Sequence, residues 1–420
     1  MMTSSYYFKY ERVEDAQQKL LSLAGESMRR VEMLDVRDAI EYVLAEDIHS
    51  ERDIPQNDIA HFDGYAIRSE DTKLASLKNP LRFKIVKEIK LTEQGSDYEI
   101  SSGEVIYVPT GCELPQNADA IVPVESVKRE GDYIILTRPI AKGFHVIHKG
   151  SDIRKNELVL RKGTVILGQH IKVLLDSGIF EVPVYKKPRV VVMPIGSELT
   201  NDSNEHHKKL ETHSYLISYL IEKNGGIAMQ KAPIPDDPIL ISKEVEEALE
   251  NYDIIVTIGG ASVGKMDFTW NEAKRIRKPR LEIRGIKVHP GRVTSVVLFE
   301  RPIIMLPGLI QSTLSGTIFI LLPLIRFLAG LSPSPLYPKF VGRVKSVIKI
   351  PEYKPFKRVR FVKRIESISN EKGKFIDLLR YESFHSSVLL KADGIIIIPE
   401  NIDEISPNET LTIYGVYGLF

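Results

Sequence analysis

Asp253-Ile-Ile-Val-Thr-Ile-Gly-Gly-Ala-Ser-Val-Gly-Lys-Met-Asp267 is the stretch that decides the reading of this 420-residue chain. Five β-branched residues in a row, 254–258, predict a short buried strand. The strand breaks into Gly259-Gly260, then Ala261-Ser262-Val263-Gly264. Glycines directly after a strand let backbone approach a ligand closely, and the N–H groups of such a turn face an anion well. Asp267 follows at the rim, where it could hold a cation. Strand, glycine turn, hydroxyl and acid fit a phosphorylated or oxyanionic ligand with a metal. A tight strand-to-helix turn that binds nothing has the same pattern, because short glycine-rich turns are weak signals.

Working outward, strands at 190–193 and 303–306 flank this one, with helices at 213–224, 238–250 and 312–328. Alternating strand and helix implies a mostly parallel sheet covered on both faces. Ligands of such sheets gather at the carboxyl ends of the strands. Three turns sit there: Gly196-Ser197-Glu198, Gly259 to Asp267, and Pro307 to Ser312. The greasy run 318–328 contains Pro323 and Arg326 and is too short for a membrane span, so it reads as a core helix.

The remaining chain is more varied. Residues 14–24 and 35–45 read as short amphipathic helices, with Asp35 as N-cap of the second. Asp53 to Arg68 is a polar, turn-forming segment carrying Asp53, Asp58 and Asp63, acids that orient a ligand or cap turns. Residues 81–142 alternate in strand fashion, and Thr110-Gly111 forms an exposed turn within them. If that unit is inserted, the segments on either side form one domain. Ser332 to Pro338 is a proline-rich linker, and 339–420 reads as a small β-barrel with a buried strand at Ile395 to Ile398. Ten Lys and Arg lie between Lys339 and Arg364, against one acid, Glu352. A second basic group runs from Lys274 to Arg292. These are solvated strand faces or a field that attracts phosphate. A net charge of +1 gives no global argument for nucleic acid or a membrane. The single cysteine, Cys112, suits a reducing cytoplasm, and no apolar targeting core is expected at the N-terminus.

Together these segments resemble the molybdopterin molybdenumtransferase family over nearly the whole chain. The resemblance rests on Asp63-Gly-Tyr-Ala-Ile-Arg68, Thr110-Gly111 with Leu114-Pro115 and Ala118-Asp-Ala120, Gly259-Gly260-Ala-Ser-Val-Gly264 with Asp267, Pro290-Gly291-Arg292, and Leu306-Pro307-Gly308. It implies an α/β and β multidomain protein. An elongated N-terminal domain would span 1–75 and 144–186, a β-rich inserted domain 76–143, a three-layer αβα molybdopterin-binding domain 187–330, and a C-terminal β-barrel 338–420. It also implies insertion of molybdate or tungstate into adenylylated molybdopterin, release of AMP and molybdenum cofactor, assistance by Mg²⁺, and a homodimer with sites shared between chains. Both oxyanions are tetrahedral dianions of nearly the same size, so the sequence does not choose between them. Carried residue by residue, the resemblance implies catalytic roles for Asp58, Thr110, Glu198 and Asp267, the last two also placing Mg²⁺ and pyrophosphate. It implies substrate contacts from Gly259, Gly260, Ser262, Gly264, Asp237, Arg292, Pro307, Gly308, Ser312 and Ser383.

Several loops depart from the family pattern. Asp-Asn-Ser-Ala-Met is replaced by Asp58-Ile-Ala-His-Phe62, and Asp-Ser-Asn by Glu211-Thr-His213. Thr-Gly-Asp-Glu-Leu is replaced by Ile195-Gly-Ser-Glu-Leu199. The lysine beyond Asp267 is replaced by Trp270, Pro-Gly-Lys-Pro by Pro290-Gly-Arg-Val293, and Pro-Gly-Asn-Pro by Pro307-Gly-Leu-Ile310. Arginine keeps the charge but not the compact geometry of lysine. The alternative to a working enzyme is therefore a diverged paralogue that binds molybdopterin, its cofactor or a partner protein without completing insertion.

Overall fold

The strand expected at the centre is there, Ile254–Ile258, with all five residues buried. The computed structural model of the chain describes residues 9–260, 268–350, 353, 355–365, 375–379 and 382–420. The strand lies in a six-stranded sheet of order Ile227–Gln230, Arg189–Pro194, Ile254–Ile258, Pro302–Leu306, Ser295–Leu298, Leu281–Arg284. The first four strands are parallel, and the last two add an antiparallel edge.

Side chains alternate across a strand, and here that alternation sorts them into two cores. Val190, Val192, Ile254, Val256, Ile304 and Leu306 face the helices Val13–Met28, His213–Lys223 and the helical run from Ile310 to Leu328. Val191, Met193, Ile255, Ile303 and Met305 face Pro238–Asn251 and Phe268–Ile276. The result is a three-layer αβα sandwich. The run Ile310–Leu328 is long and apolar enough to cross a membrane, but 89% of it is buried inside the protein, as a central core helix should be.

The C-terminal strands Lys357–Ile365, Phe375–Leu378, Leu336–Val344, Thr410–Val416 and Gly394–Ile398 follow one another around a closed ring, because the last pairs back onto the first. Closure into a barrel leaves no open sheet edge. Arg358 is fully buried there and donates to the carbonyls of Ile350, Pro399 and Ile402 at 3.3, 2.6 and 2.5 Å. One of the ten basic residues of this region is thus a structural bolt, neither a solvated charge nor a ligand group. The short strand Val288–His289 of the preceding domain adds to the barrel strand Lys357–Ile365 in parallel, with His289 opposite Arg358.

Residues 33–40 and 46–182 form a separate compact unit. Its six-stranded sheet runs Ala120–Pro123, Gly64–Ile67, Glu104–Val108, Leu81–Glu88, Tyr133–Leu136, Lys128–Glu130. The strand Gly64–Ile67 lies upstream of residue 76, so this sheet draws on chain before the start expected for the inserted domain. Gly64 is tightly enclosed: a Cβ there would lie 2.5 Å from the Val122 carbonyl oxygen. The flanking segments pair with each other, Ile59–Ala60 with Val146–Ile147 and Ile48–His49 with Leu158–Leu160.

Two expectations need correction. Residues 35–45 are not a helix. Asp35 caps only the 3₁₀ turn Val36–Asp38, accepting from the Arg37 N–H at 2.9 Å, and Glu41 sits at φ 64°. Val43 to Ala45 are instead claimed by extended chain: Leu44 bridges Val184, and the Ala45 N–H donates to the Pro183 carbonyl at 2.9 Å. Pairing outside the segment overrode a modest local propensity. The helix Val13–Met28 was expected within the elongated N-terminal domain, yet it packs against the αβα sheet through Val13, Ala16, Leu20 and Ala24.

Trp270, the only tryptophan, is 4% exposed within the second core. Trp270→Ala should lower unfolding free energy by roughly 3–5 kcal/mol, the usual cost of truncating a buried aromatic. Denaturant titration measures it, and a loss under about 1 kcal/mol would contradict the packing described.

Candidate active site

Three bends meet at the carboxyl ends of three neighbouring strands. The register places Pro194 beside Ile258 and Ile258 beside Leu306, so the turns that follow start level with one another. Backbone hydrogen bonds continue into them: the Ile195 N–H donates to the Ile258 carbonyl at 2.8 Å, and the Gly259 N–H to the Leu306 carbonyl at 3.0 Å. Gly259 has φ 88°, and a Cβ there would stand 2.4 Å from the Ile195 carbonyl oxygen. A Cβ on Gly308 would lie 3.7 Å from the Gly259 Cα. Gly259 thus has no space for a side chain, and Gly308 stands in contact with it. Ser262, Gly264 and Asp267 lie outside the described residues.

The loop after Arg189–Pro194 carries Glu198, whose exposed carboxylate folds back over Gly196. Beside it, Ser197 and Asp236 exchange hydrogen bonds, each backbone N–H donating to the other's side-chain oxygen at 2.9 Å. Asp237 is the N-cap of Pro238–Asn251, accepting from the N–H groups of Ile239 and Leu240 at 2.8 and 3.2 Å. Among the described residues no group of three or more His, Cys, Asp or Glu side chains is arranged to hold a metal ion. Glu198 offers a single carboxylate, so the described residues do not by themselves make a Mg²⁺ site.

A second feature opens where the αβα domain meets the barrel. A cleft of about 960 Å³ is lined by His289, Gln311, Lys349, Tyr353, Arg360 and Ser383, among others. Gly291, at φ 113°, brings the Pro290-Gly291-Arg292 turn against the helix that follows Pro307: a Cβ there would stand 3.0 Å from the Ser312 carbonyl oxygen and 2.9 Å from the Ser315 Cβ. Gln311 ties that helix to the barrel, its N–H donating to the Ser383 carbonyl at 3.1 Å and its side chain to the Glu382 carbonyl at 2.8 Å. Residues far apart in sequence are thus brought together: the turn before Arg292 packs on the Ser312 carbonyl, and Ser383, which lines the cleft, bonds to Gln311 beside Ser312. The His289 ring stacks on Tyr353 at 3.7 Å between centroids, and the Arg292 guanidinium lies over the same tyrosine at 5.5 Å. Burial first, then the positive charges of Arg360, Arg292 and Arg358, push the His289 pKa down to about 4. Leu309 is 49% exposed, and Ile310 packs into the first core.

His289, Gln311, Tyr353 and Arg360 escaped the sequence reading. Arg360 was hidden among ten basic residues with nothing to single it out. His289 directly precedes the Pro-Gly-Arg turn, a position whose importance only the cleft reveals.

Asp58 and Thr110 belong to the other compact unit. Asp58 Oδ1 accepts from the Lys149 N–H at 2.8 Å, and Oδ2 lies 3.1 Å from His148 Nδ1. Thr110 donates both its N–H and its hydroxyl to Asp63 Oδ1, at 2.7 and 2.8 Å. Those two bonds, the backbone one first, hold the Asp63 carboxyl below the usual aspartate range. Asp53 accepts from the Lys155 N–H at 2.8 Å. The three acids of this segment each organise a turn.

The geometry so far defines an α/β protein with strand-end glycine turns and a cation-lined cleft beside a barrel, the plan of an anion-handling enzyme. Two family descriptions match the chain: "MoeA N-terminal region (domain I and II)" over residues 11–178, and "Probable molybdopterin binding domain" over 191–326. It is 33% identical over 298 residues to a molybdopterin molybdenumtransferase of Staphylococcus aureus, covering 70% of each chain. It is 27% identical over 408 residues to a Methanocaldococcus jannaschii protein assigned to molybdopterin biosynthesis, covering 92% of each. The crystal structure of a molybdopterin biosynthesis MoeA protein from Pyrococcus horikoshii superposes with a TM-score of 0.82 at 27% identity, covering 97% of this chain and 99% of that one. The chain belongs to the molybdopterin molybdenumtransferase family.

Two outcomes test this geometry. Gly259→Ala should cost about 1 kcal/mol or more of stability, since a left-handed φ and a backbone clash coincide; a neutral thermal melt would show the bends pack more loosely. His289 should titrate near 4 by NMR, well below the ordinary 6.5. Its folded-state pKa is depressed, so the folded form binds its proton less readily than the unfolded chain. The stability it contributes is full above about 6.5 and fades as pH falls toward about 4. A midpoint at 6 or above would contradict the burial and charge environment of the cleft.

Proposed function

We propose that this protein inserts molybdenum or tungsten into molybdopterin, taking molybdate or tungstate respectively as one substrate and adenylylated molybdopterin as the other, with release of AMP. The observation that supports it most is the meeting of three backbone bends at adjacent strand ends, a cradle of N–H groups suited to phosphate oxygens. In support, the cleft beside the barrel carries Arg360 and Ser383 on its wall, with Arg292 over its Tyr353; we assign these, with the Ser312 hydroxyl, to the tetrahedral dianion. One oxo group of molybdate and the two thiol protons of molybdopterin leave as water when sulfur takes over the metal. Hydrolysis of the phosphoanhydride consumes one water and frees AMP. Charge neutralised at the phosphate oxygens, more than covalent catalysis, lowers that barrier.

The finer assignments belong to the same reading. Gly259, Gly260, Gly264, Pro307 and Gly308 would contact the substrate's phosphates, and Ser262 would offer its hydroxyl to the oxyanion. Mg²⁺ held by Glu198 and Asp267 would neutralise the pyrophosphate. Asp237 orders the neighbouring loop, and Asp58 and Thr110 act on the substrate from their own unit. The working form is a homodimer in the cytoplasm, with sites completed across chains. The lone, buried Cys112 accords with a reducing compartment.

The test is direct. Purified protein, adenylylated molybdopterin, Mg²⁺ and molybdate should yield AMP together with cofactor that activates a cofactor-free molybdoenzyme. Arg360→Ala and Arg292→Ala should each reduce molybdate turnover ~10–100-fold, the range for losing a hydrogen bond to a charged group. If the pterin binds but neither AMP nor active cofactor forms, the chain is a binding paralogue and the insertion reading fails.

A further inference from the structure

One loop substitution has built something the family pattern does not contain. Where Ala-Met would precede Asp-Gly-Tyr, this chain has His61-Phe62. The short ladder between Ile59–Ala60 and Val146–Ile147 brings the residues beyond its end together, and the His61 N–H donates to the His145 carbonyl at 3.0 Å. Four rings meet there. Phe62 lies 4.5 Å from His61 and 4.8 Å edge-on from His145, and His145 lies 4.0 Å from Phe144. His145 holds φ 54°, a left-handed conformation that is uncommon for a residue with a side chain. Phe144 is half-buried and braces the group from below, while Phe62 is 43% exposed.

The surroundings say what kind of guest would cover this shelf. The Thr110 turn is anchored to the same ladder, the Gly111 N–H donating to the Ala60 carbonyl at 2.8 Å. Asp63, next in the chain after Phe62, takes both Thr110 bonds on Oδ1, and no described residue donates to Oδ2. The ring and this carboxylate are consecutive in the chain, and an aromatic face with a carboxylate oxygen that has lone pairs to spare suits a flat heterocycle with adjacent N–H donors. The pyrimidine half of a pterin carries that pair, a ring N–H next to an amino group. Adenine alternates donor and acceptor along its edge and matches a carboxylate less well.

We infer that Phe62, steadied by His61 and His145, is a stacking platform for the pteridine ring of the substrate, a specificity-determining contact. The inference rests on the reading that the substrate is a molybdopterin. It adds which face of the molecule grips the ring, as distinct from its phosphates or the metal oxyanion. Aromatic faces recognise flat heterocycles with little demand on their substituents, so the neighbouring carboxylate supplies the choice among them.

The experiment uses the full-length protein with 6-hydroxymethylpterin, followed by its own fluorescence, and with AMP in a parallel arm. Phe62→Ala should weaken pterin binding ~10-fold or more. Phe62→Tyr should restore it to within about 2-fold, and Phe62→Leu should not, since a plain apolar group lacks the flat face. AMP affinity should change little in all three. Phe62 is exposed, so unaltered melting curves check that the variants fold. The inference is overturned if the wild type binds no pterin, if Phe62→Ala or Phe62→Leu binds it normally, or if only AMP binding falls. Its fate is separable from that of the proposed activity: ring-dependent pterin binding without molybdenum insertion would sink the activity and leave the platform standing, and insertion unaffected by Phe62→Ala with unaltered pterin binding would do the reverse.

Discussion

Backbone packed against backbone at the ends of three parallel strands is the constraint on which the rest depends. Peptide N–H groups can converge on an anion only if their chains approach closely, and any Cβ on the inner surface would hold them apart. Gly259 removes that obstacle, with the Ile195 carbonyl occupying the space its side chain would need. Gly308 rests against the same glycine. The sheet register makes the approach possible, since Pro194, Ile258 and Leu306 end level. Two well-filled cores, one on each face of the sheet, hold that register, and a one-residue slip would turn every strand inside out.

The cleft beside the barrel works by a different principle. Instead of backbone dipoles it gathers whole charges, Arg292, Arg360 and Lys349, at the seam between two domains. Like charges held close repel, and the free protein carries that cost; a dianion would relieve it. The depressed pKa of His289 fits this setting: burial first, and then the nearby arginines, disfavour a further positive charge. Gln311 and the Val288–His289 strand stitch the seam, so the arginines need not rely on long flexible side chains alone.

How much of this could be read from residues alone varies with the physics of each element. The αβα sheet was legible because its strands are short runs of branched aliphatics bounded by glycine, and its helices carry a clear apolar stripe. The barrel was legible from alternation and from Ile395 to Ile398. The 35–45 segment misled because its apolar spacing suits a helix, whereas Leu44 is spoken for by Val184 far along the chain. The helix Val13–Met28 was seen as a helix, but nothing local says which core it joins. For the site, Gly259, Gly308, Arg292, Ser312 and Ser383 were picked out on resemblance; of the last three, Ser383 lines the cleft and Arg292 lies over Tyr353 on its wall. Arg358 and Arg360 illustrate what sequence hides: two arginines two residues apart, one buried among carbonyls and one lining a cleft, are the same letter.

The most direct measurement is the position of the phosphorus atom in crystals of this protein grown with AMP. The account predicts a phosphate within hydrogen-bond distance of backbone N–H groups in the turns beyond Gly259 and Pro307. A phosphate bound elsewhere, with those bends closed over one another and no donor facing it, would contradict the account.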